Sequence, residues 1–203
     1  MAATLALGLA GCSVLPKRPP PHALTTYRIT APSTSQTKAT IACPGVRVAM
    51  PTATAGFGGP SMRYSESPGT VASFAFHRWA APPARMLEPL LIRSLSASGL
   101  FQTVLAADAP AAVPLQLDTQ LVALLQRVSG AQSQVHLVVR ASLSNLRSHR
   151  QLAARRFTVD TPADAATPTA GARATDVAVA QMTHELIGWL NGLAHSGRCS
   201  AGR

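Results

Sequence analysis

Three consecutive runs of alternating apolar and polar residues constrain this chain more than any other feature. Leu115, Leu117, Leu121 and Ala123 alternate with Gln116, Asp118, Gln120 and Val122. Val135, Leu137, Val139, Ala141 and Leu143 alternate with His136, Val138, Arg140, Ser142 and Ser144, and Phe157 and Val159 continue the pattern in a third run. A period of two is that of a strand with one face buried. Turn residues separate the runs at Ser129-Gly130 and Ser148-His149. Links this short join antiparallel neighbours, so a meander of three long strands is predicted.

Shorter elements precede the meander. Val46-Arg47-Val48-Ala49-Met50 alternates and stops at Pro51, which reads as a short strand. Ser61–Tyr64 and Val71–Phe76 read as a strand pair around Ser67-Pro68-Gly69, and 101–105 as another short strand. Two segments carry the helical period. Ala81-Pro82-Pro83 opens the first; Leu87, Leu90, Leu91 and Leu95 share one face, and Ser98-Gly99 ends it. The second is predicted over 172–194, with Val179, Met182, Leu186, Trp189, Leu190 and Leu193 on one face, after a linker over 162–171. The expected fold class is α/β with an α+β-like arrangement: a single sheet, including the meander of long strands, with two main helices packed on it.

The amino terminus has a different character. Ala2–Leu9 is apolar but too short for a bilayer span, which takes about 20 residues; it has the length of a signal-peptide apolar region. It ends in Leu9-Ala10-Gly11-Cys12, the bacterial lipobox pattern. Cys12 supplies the thiol that takes a diacylglycerol as a thioether, and the small residues before it let the backbone enter a lipoprotein signal peptidase. No Lys or Arg precedes the apolar run, although secretory leaders carry positive charge there, so the true start is expected upstream. Ser13 favours outer-membrane sorting, with the inner membrane as the alternative. Pro16 and Pro19-Pro20-Pro21 favour an extended spacer. These features predict a lipoprotein signal peptide over 1–11, a lipid-anchored Pro-rich tether over 12–42 and a folded domain over 43–200.

Two cysteines remain after Cys12. A secreted chain with two such thiols is expected to oxidise them, so a Cys43–Cys199 disulfide is predicted, with two inert thiols as the alternative. Apolar residues make up 47% and charged residues 13%, which favours a globular domain over a disordered one. The formal charge is +10, carried by 16 Arg and 2 Lys. The arginines are scattered, with short pairs such as Arg155-Arg156, and no aromatic-rich basic stripe or Cys/His finger accompanies them. Nucleic acid is therefore not an expected partner; anionic headgroups or an acidic partner remain compatible.

No residue set spells out a reaction. The chain lacks a G-x-x-x-x-G-K-[ST] loop, a G-x-S-x-G elbow and an H-E-x-x-H pair. His184-Glu185 reads as a polar helix face, Gly56–Pro60 as a surface connection or a mobile binding loop, and Trp79 and Trp189 as core or partner anchors. No catalytic residue, metal or cofactor is expected.

Taken in order, several stretches resemble one family, the ABC-type transport auxiliary lipoproteins, which include paraquat-inducible protein C. They are Thr26-Tyr27-Arg28-Ile29, Val46–Pro51, Met62-Arg63-Tyr64, FAFHRWAAPPARMLEPLLIRSLSASGLFQTV, LQLDTQLVALLQ, ARRFTVDTP and Ile187-Gly188-Trp189-Leu190. The Gly-rich 54–61 departs from relatives, which often carry Leu and Asp there. The resemblance implies a non-enzymatic lipoprotein facing the periplasm. It further implies a permease, an ATPase and a mammalian-cell-entry domain protein as partners in lipid transport between membranes, and it leaves self-association open. An adaptor lipoprotein for another envelope export machine is the rival expectation, and a periplasmic hydrolase a more distant one.

Overall fold

The computed structural model describes residues 23–31 and 42–199. Its elements are β1 (Thr25–Tyr27), β2 (Val46–Val48), β3 (Thr52–Ala53), β4 (Ser61–Ser65), β5 (Ala72–Trp79), α1 (Pro83–Ser98), β6 (Val104–Leu105), β7 (Leu115–Ser129), β8 (Gln132–Asn145), β9 (Arg150–Pro162) and α2 (Pro168–His195). The lipobox with Cys12, the Pro-rich stretch and residues 32–41 of the expected tether lie outside the described residues.

All nine strands join one sheet organised on β7. On one edge, β7 runs antiparallel to β8 along its whole length, and β8 in turn to β9, so the predicted meander forms. Gly130 turns the first hairpin at φ 58°, a left-handed backbone that suits glycine. On the other edge, β7 receives three short parallel strands in series. Val46–Val48 pairs with Leu115–Leu117, Thr52–Ala53 with Gln120–Leu121, and Tyr64–Ser65 with Gln126–Arg127. β5 then pairs with β4, β1 with β5, and β6 with β2. Of the expected strand 101–105, only Val104–Leu105 is a strand; Phe101 makes a single bridge to Cys43.

The alternation along β7 is interrupted. A register shift between Leu121 and Ala123 sets two residues of β7 against one of β8, a β-bulge. The core-facing set therefore runs Leu115, Leu117, Thr119 and Leu121, then Leu124 and Gln126. Ala123, expected to point inward, gives its place to Leu124. The bulge lies where the second edge changes hands from β3 to β4, and the N–H of Thr54 donates to the carbonyl of Leu121 there at 2.9 Å.

Both helices cover the same apolar face. Leu87, Leu91 and Leu95 of α1 and Met182, Leu186 and Leu190 of α2 share one core with Leu117, Leu121, Val139 and Phe157. Each fully buried Leu or Phe contributes about 1.5–3 kcal/mol over an exposed one. Helix α1 begins on Pro83 in its first turn and ends at Gly99, whose φ is 67°. Helix α2 starts earlier than the sequence pattern predicts. Thr167 caps it by accepting the N–H of Ala170, and Pro168 fills its first turn. Because β9 also extends to Pro162, the expected linker over 162–171 contracts to 163–167.

One buried amide fixes α2 on the sheet. Gln126 Nε2 donates to Ser133 Oγ at 2.7 Å and to the carbonyls of Ala165 and Thr167 at 3.2 Å. Gly171 lies directly above, where a Cβ would collide with Gln126 Oε1.

The domain reaches further upstream than the tether expected over 12–42. Strand β1 belongs to the sheet, Ile29 and Ala31 are buried, and Asp176 of α2 accepts both the N–H of Thr30 at 2.7 Å and its hydroxyl at 2.9 Å. Cys43 and Cys199 form a disulfide with Cα atoms 5.5 Å apart across 156 residues of sequence.

Two stability outcomes follow. Reducing the disulfide, or replacing both cysteines by serine, lowers unfolding free energy by about 5 kcal/mol on the chain-entropy account, read by denaturant titration with and without dithiothreitol. Gly171→Ala costs about 1–3 kcal/mol by overpacking. In a double-mutant cycle, Gln126→Ala removes most of that penalty, whereas additive losses would show that the two residues do not meet.

Candidate functional site

Hairpin tips at one end of the sheet enclose a cleft of about 1050 Å³. Its walls are the β4–β5 turn over 65–71, the β7–β8 turn over 128–132 and the start of the connection after β9. The sequence places turn chemistry at each: Ser67-Pro68-Gly69 with Gly69 at φ 81°, and Gly130. The lining is mixed. Val71, Leu125, Val128 and Pro162 supply apolar wall, while Glu66 and Arg127 are its charged members.

Three hydroxyls of this cleft hold the shape of its β4–β5 turn. Ser65 Oγ and Thr70 Oγ1 each donate to the carbonyl of Ser67 at 2.8 Å, and Ser67 and Thr70 hydroxyls meet at 3.1 Å. No His or Cys is among the lining residues.

Beside it, on the face of the sheet away from the helices, a charge cluster spans three strands. His136 Nδ1 lies 2.7 Å from Asp160 Oδ1, and Arg127 reaches the same oxygen at 3.5 Å. Arg127 and Asp160 are 46% and 42% exposed, so their pair is worth no more than about 1 kcal/mol; its role is to order the rim. A second arginine works on the backbone. Arg47 of β2 donates to the carbonyls of Ala106, Ala107, Ala109 and Ala111 at 2.7–3.2 Å, gathering the loop that leads into β7. The planar fork of donors in guanidinium suits such a cradle, and an ammonium does not replace it.

The residues singled out in the sequence do not converge on the cleft. Trp79 is buried in the core at the end of β5, where its backbone N–H donates to the carbonyl of Pro60 at 2.8 Å. Trp189 is half-buried on α2, edge-on to Phe157 at 5.9 Å. It lines a shallow groove of about 530 Å³ with Arg155, His184 and Glu185. His77 approaches the hydroxyl of Tyr27 at 3.3 Å, and that hydroxyl also bonds Thr169 at 2.8 Å, joining β1 to α2. In the Gly-rich loop, Phe57 packs on the core while Gly56, Gly58 and Gly59 face open space. The cleft, the Arg47 cradle and the Asp160 cluster escaped sequence reasoning. Only the turn residues at the cleft's margins signalled it. Among the described residues no group of three or more His, Cys, Asp or Glu is placed to hold a metal ion, and no helix is long and apolar enough to cross a membrane.

This geometry has known counterparts. Protein XCC0632 from Xanthomonas campestris superposes with a TM-score of 0.76 at 25% identity, over 85% of this chain and 99% of that one. An uncharacterized protein matches with a TM-score of 0.65 at 14% identity, over 83% and 99%. The hypothetical protein CT253 from Chlamydia trachomatis matches at 0.51 and 7% identity, over 77% and 98%. The last two likenesses bear on the fold alone. No curated protein matches the chain. The family model for the ABC-type transport auxiliary lipoprotein component matches residues 27–186. That description points to a non-enzymatic role. With its sheet, helices and most of its length inside the match, the chain belongs to the ABC-type transport auxiliary lipoprotein component family.

Proposed function

We propose that this chain is a lipid-anchored auxiliary subunit of an ABC-type system, linked to a mammalian-cell-entry domain protein, that moves lipids between the inner and outer membranes. The observation that carries this reading is a family match starting at residue 27, shortly after the lipobox cysteine Cys12. Cys12, acylated, holds the protein on a membrane facing the periplasm; Ser13 favours the outer one. Each buried methylene of an acyl chain adds about 0.8 kcal/mol, so several chains on one residue make a lasting anchor.

Because β1 begins at Thr25, the tether that leaves the domain covers 13–24 in this reading. At about 3.1 Å per residue of extended polyproline geometry, it holds the domain within roughly 40 Å of the headgroups. Energy coupling belongs to the partners. The sequence has no phosphate-binding loop of the G-x-x-x-x-G-K-[ST] type, so the ATPase and permease subunits drive transport while this domain docks and positions. Trp189, half-buried and beside an open groove, is a partner anchor in this scheme, and Trp79 holds the core.

Two experiments test it. The full chain purified in detergent is expected to bring down a mammalian-cell-entry protein with its permease and ATPase; a strain lacking the chain then accumulates lipid on one membrane. Recovery of a different export machine in the same pull-down would replace the lipid-transport reading. Separately, Cys12→Ala moves the protein from the membrane to the soluble fraction and removes the acyl mass from its amino terminus. An unacylated wild-type Cys12 would end the anchoring reading.

A further inference from the structure

β9 is an edge strand with one-sided charge. Of its 13 residues all but Leu152 pair with β8, and no other strand among the described residues pairs with its outer side. A long row of main-chain N–H and C=O groups therefore faces solvent, the kind of edge that proteins cover or guard. Arg150, Arg155 and Arg156 stand in its first half, Arg147 in the turn before it, and all are exposed.

Arg140 of β8 lies directly opposite Arg156 in the ladder. Like charges in that relation destabilise a sheet. Nothing within the domain relieves them: among the described residues no carboxylate is within ion-pair distance of Arg140, Arg147, Arg150, Arg155 or Arg156. Asp160, the single acid of β9, is occupied by His136 and Arg127.

The two faces of this edge differ. On the helix-free face stand Arg140 and Arg156, flanked by Gln120 and Thr158. On the helix face, Arg155 lies 5.2 Å over the ring of Phe157 and borders the groove beside Trp189. That groove stays open because Gly188 and Gly192 leave empty space where side chains would stand. An added strand would thus meet positive charge on one face and an aromatic-floored recess on the other.

We propose that the outer edge of β9 receives an extended segment of a partner protein by strand addition, a segment alternating acidic and apolar residues. Main-chain bonds to β9 supply register, its acids pair with Arg140 and Arg156, and its apolar side chains enter the groove beside Trp189. Charge argues against a second copy of this chain as the occupant: two β9 edges brought together would set two groups of arginines along one seam. The open main-chain groups favour a peptide over a lipid surface, since a headgroup satisfies arginines but does not continue a ladder.

The test uses the full chain carrying Cys12→Ala, so that acylation does not contribute. The probes are a 12-residue peptide of alternating Glu and Val, the same peptide N-methylated at alternate residues, its Lys-for-Glu counterpart, and phosphatidylglycerol vesicles. The Glu peptide is expected to bind and to slow amide exchange along β9. Alternate N-methylation weakens binding at least tenfold, as does the Arg140→Gln/Arg156→Gln double variant, whose thermal midpoint stays at or above that of the parent. Four results each overturn the proposal: no binding of the Glu peptide, equal binding of the N-methylated or Lys peptide, indifference to the double variant, or vesicle binding that displaces the Glu peptide.

Discussion

The pairing of β7 along both of its edges is the constraint on which the rest of this domain depends. Fifteen residues satisfy β8 on one side and three separate short strands on the other. Strands of two to five residues have little stability alone. Docked in series on one long template, β2, β3 and β4 need no ladder of their own. The bulge at Leu121/Ala123 belongs to this arrangement. It places the change of inward face where β3 ends and β4 begins, so that Leu121 and Leu124 both reach the core despite the odd spacing between them.

Around that template, the chain's outlying parts are held by a few specific contacts. The disulfide joins the strand-poor region near residue 43 to the end of α2. Asp176 grips Thr30, and Tyr27 bonds Thr169, so the segment that leads toward the proposed anchor is fastened to α2 at two points. Gln126 secures the beginning of the same helix from below. Helix α2 is thus the element through which the amino-terminal segment, the sheet and the carboxyl terminus are joined.

The architecture was legible where one physical signal dominated. Period-two alternation marked all three long strands, leucine spacing marked α1, and Gly99 marked its end. Misreadings arose where two signals competed. Alternation predicts Ala123 inside, but a bulge is set by the neighbouring edge, which the local pattern does not report. Pro168 and the residues around it look like a linker by composition, yet Thr167 and Pro168 together make a helix start. The three residues of β1 carry no periodicity and join the sheet through pairing with β5 alone. The cleft was visible only as turn residues, because its walls come from segments separated by some 30 to 100 positions. Arg47 gave no warning of its role, since the carbonyls it gathers belong to alanines that any loop might contain.

The order of strands in the sheet has a consequence for biogenesis. Synthesis delivers β2, β3 and β4 first, and their template β7 emerges only about fifty residues after β4 ends. Until then β4, β5 and β1 have only one another to pair with, and β2 and β3 have no strand of their own. The hairpins of β7, β8 and β9 close locally and quickly, whereas the short strands wait on distant contacts. Cys43 waits for a partner 156 residues further along the chain. Covalent closure is in this sense a seal applied to a finished object, and the thiol at position 43 is exposed to wrong partners while the next 156 residues are made.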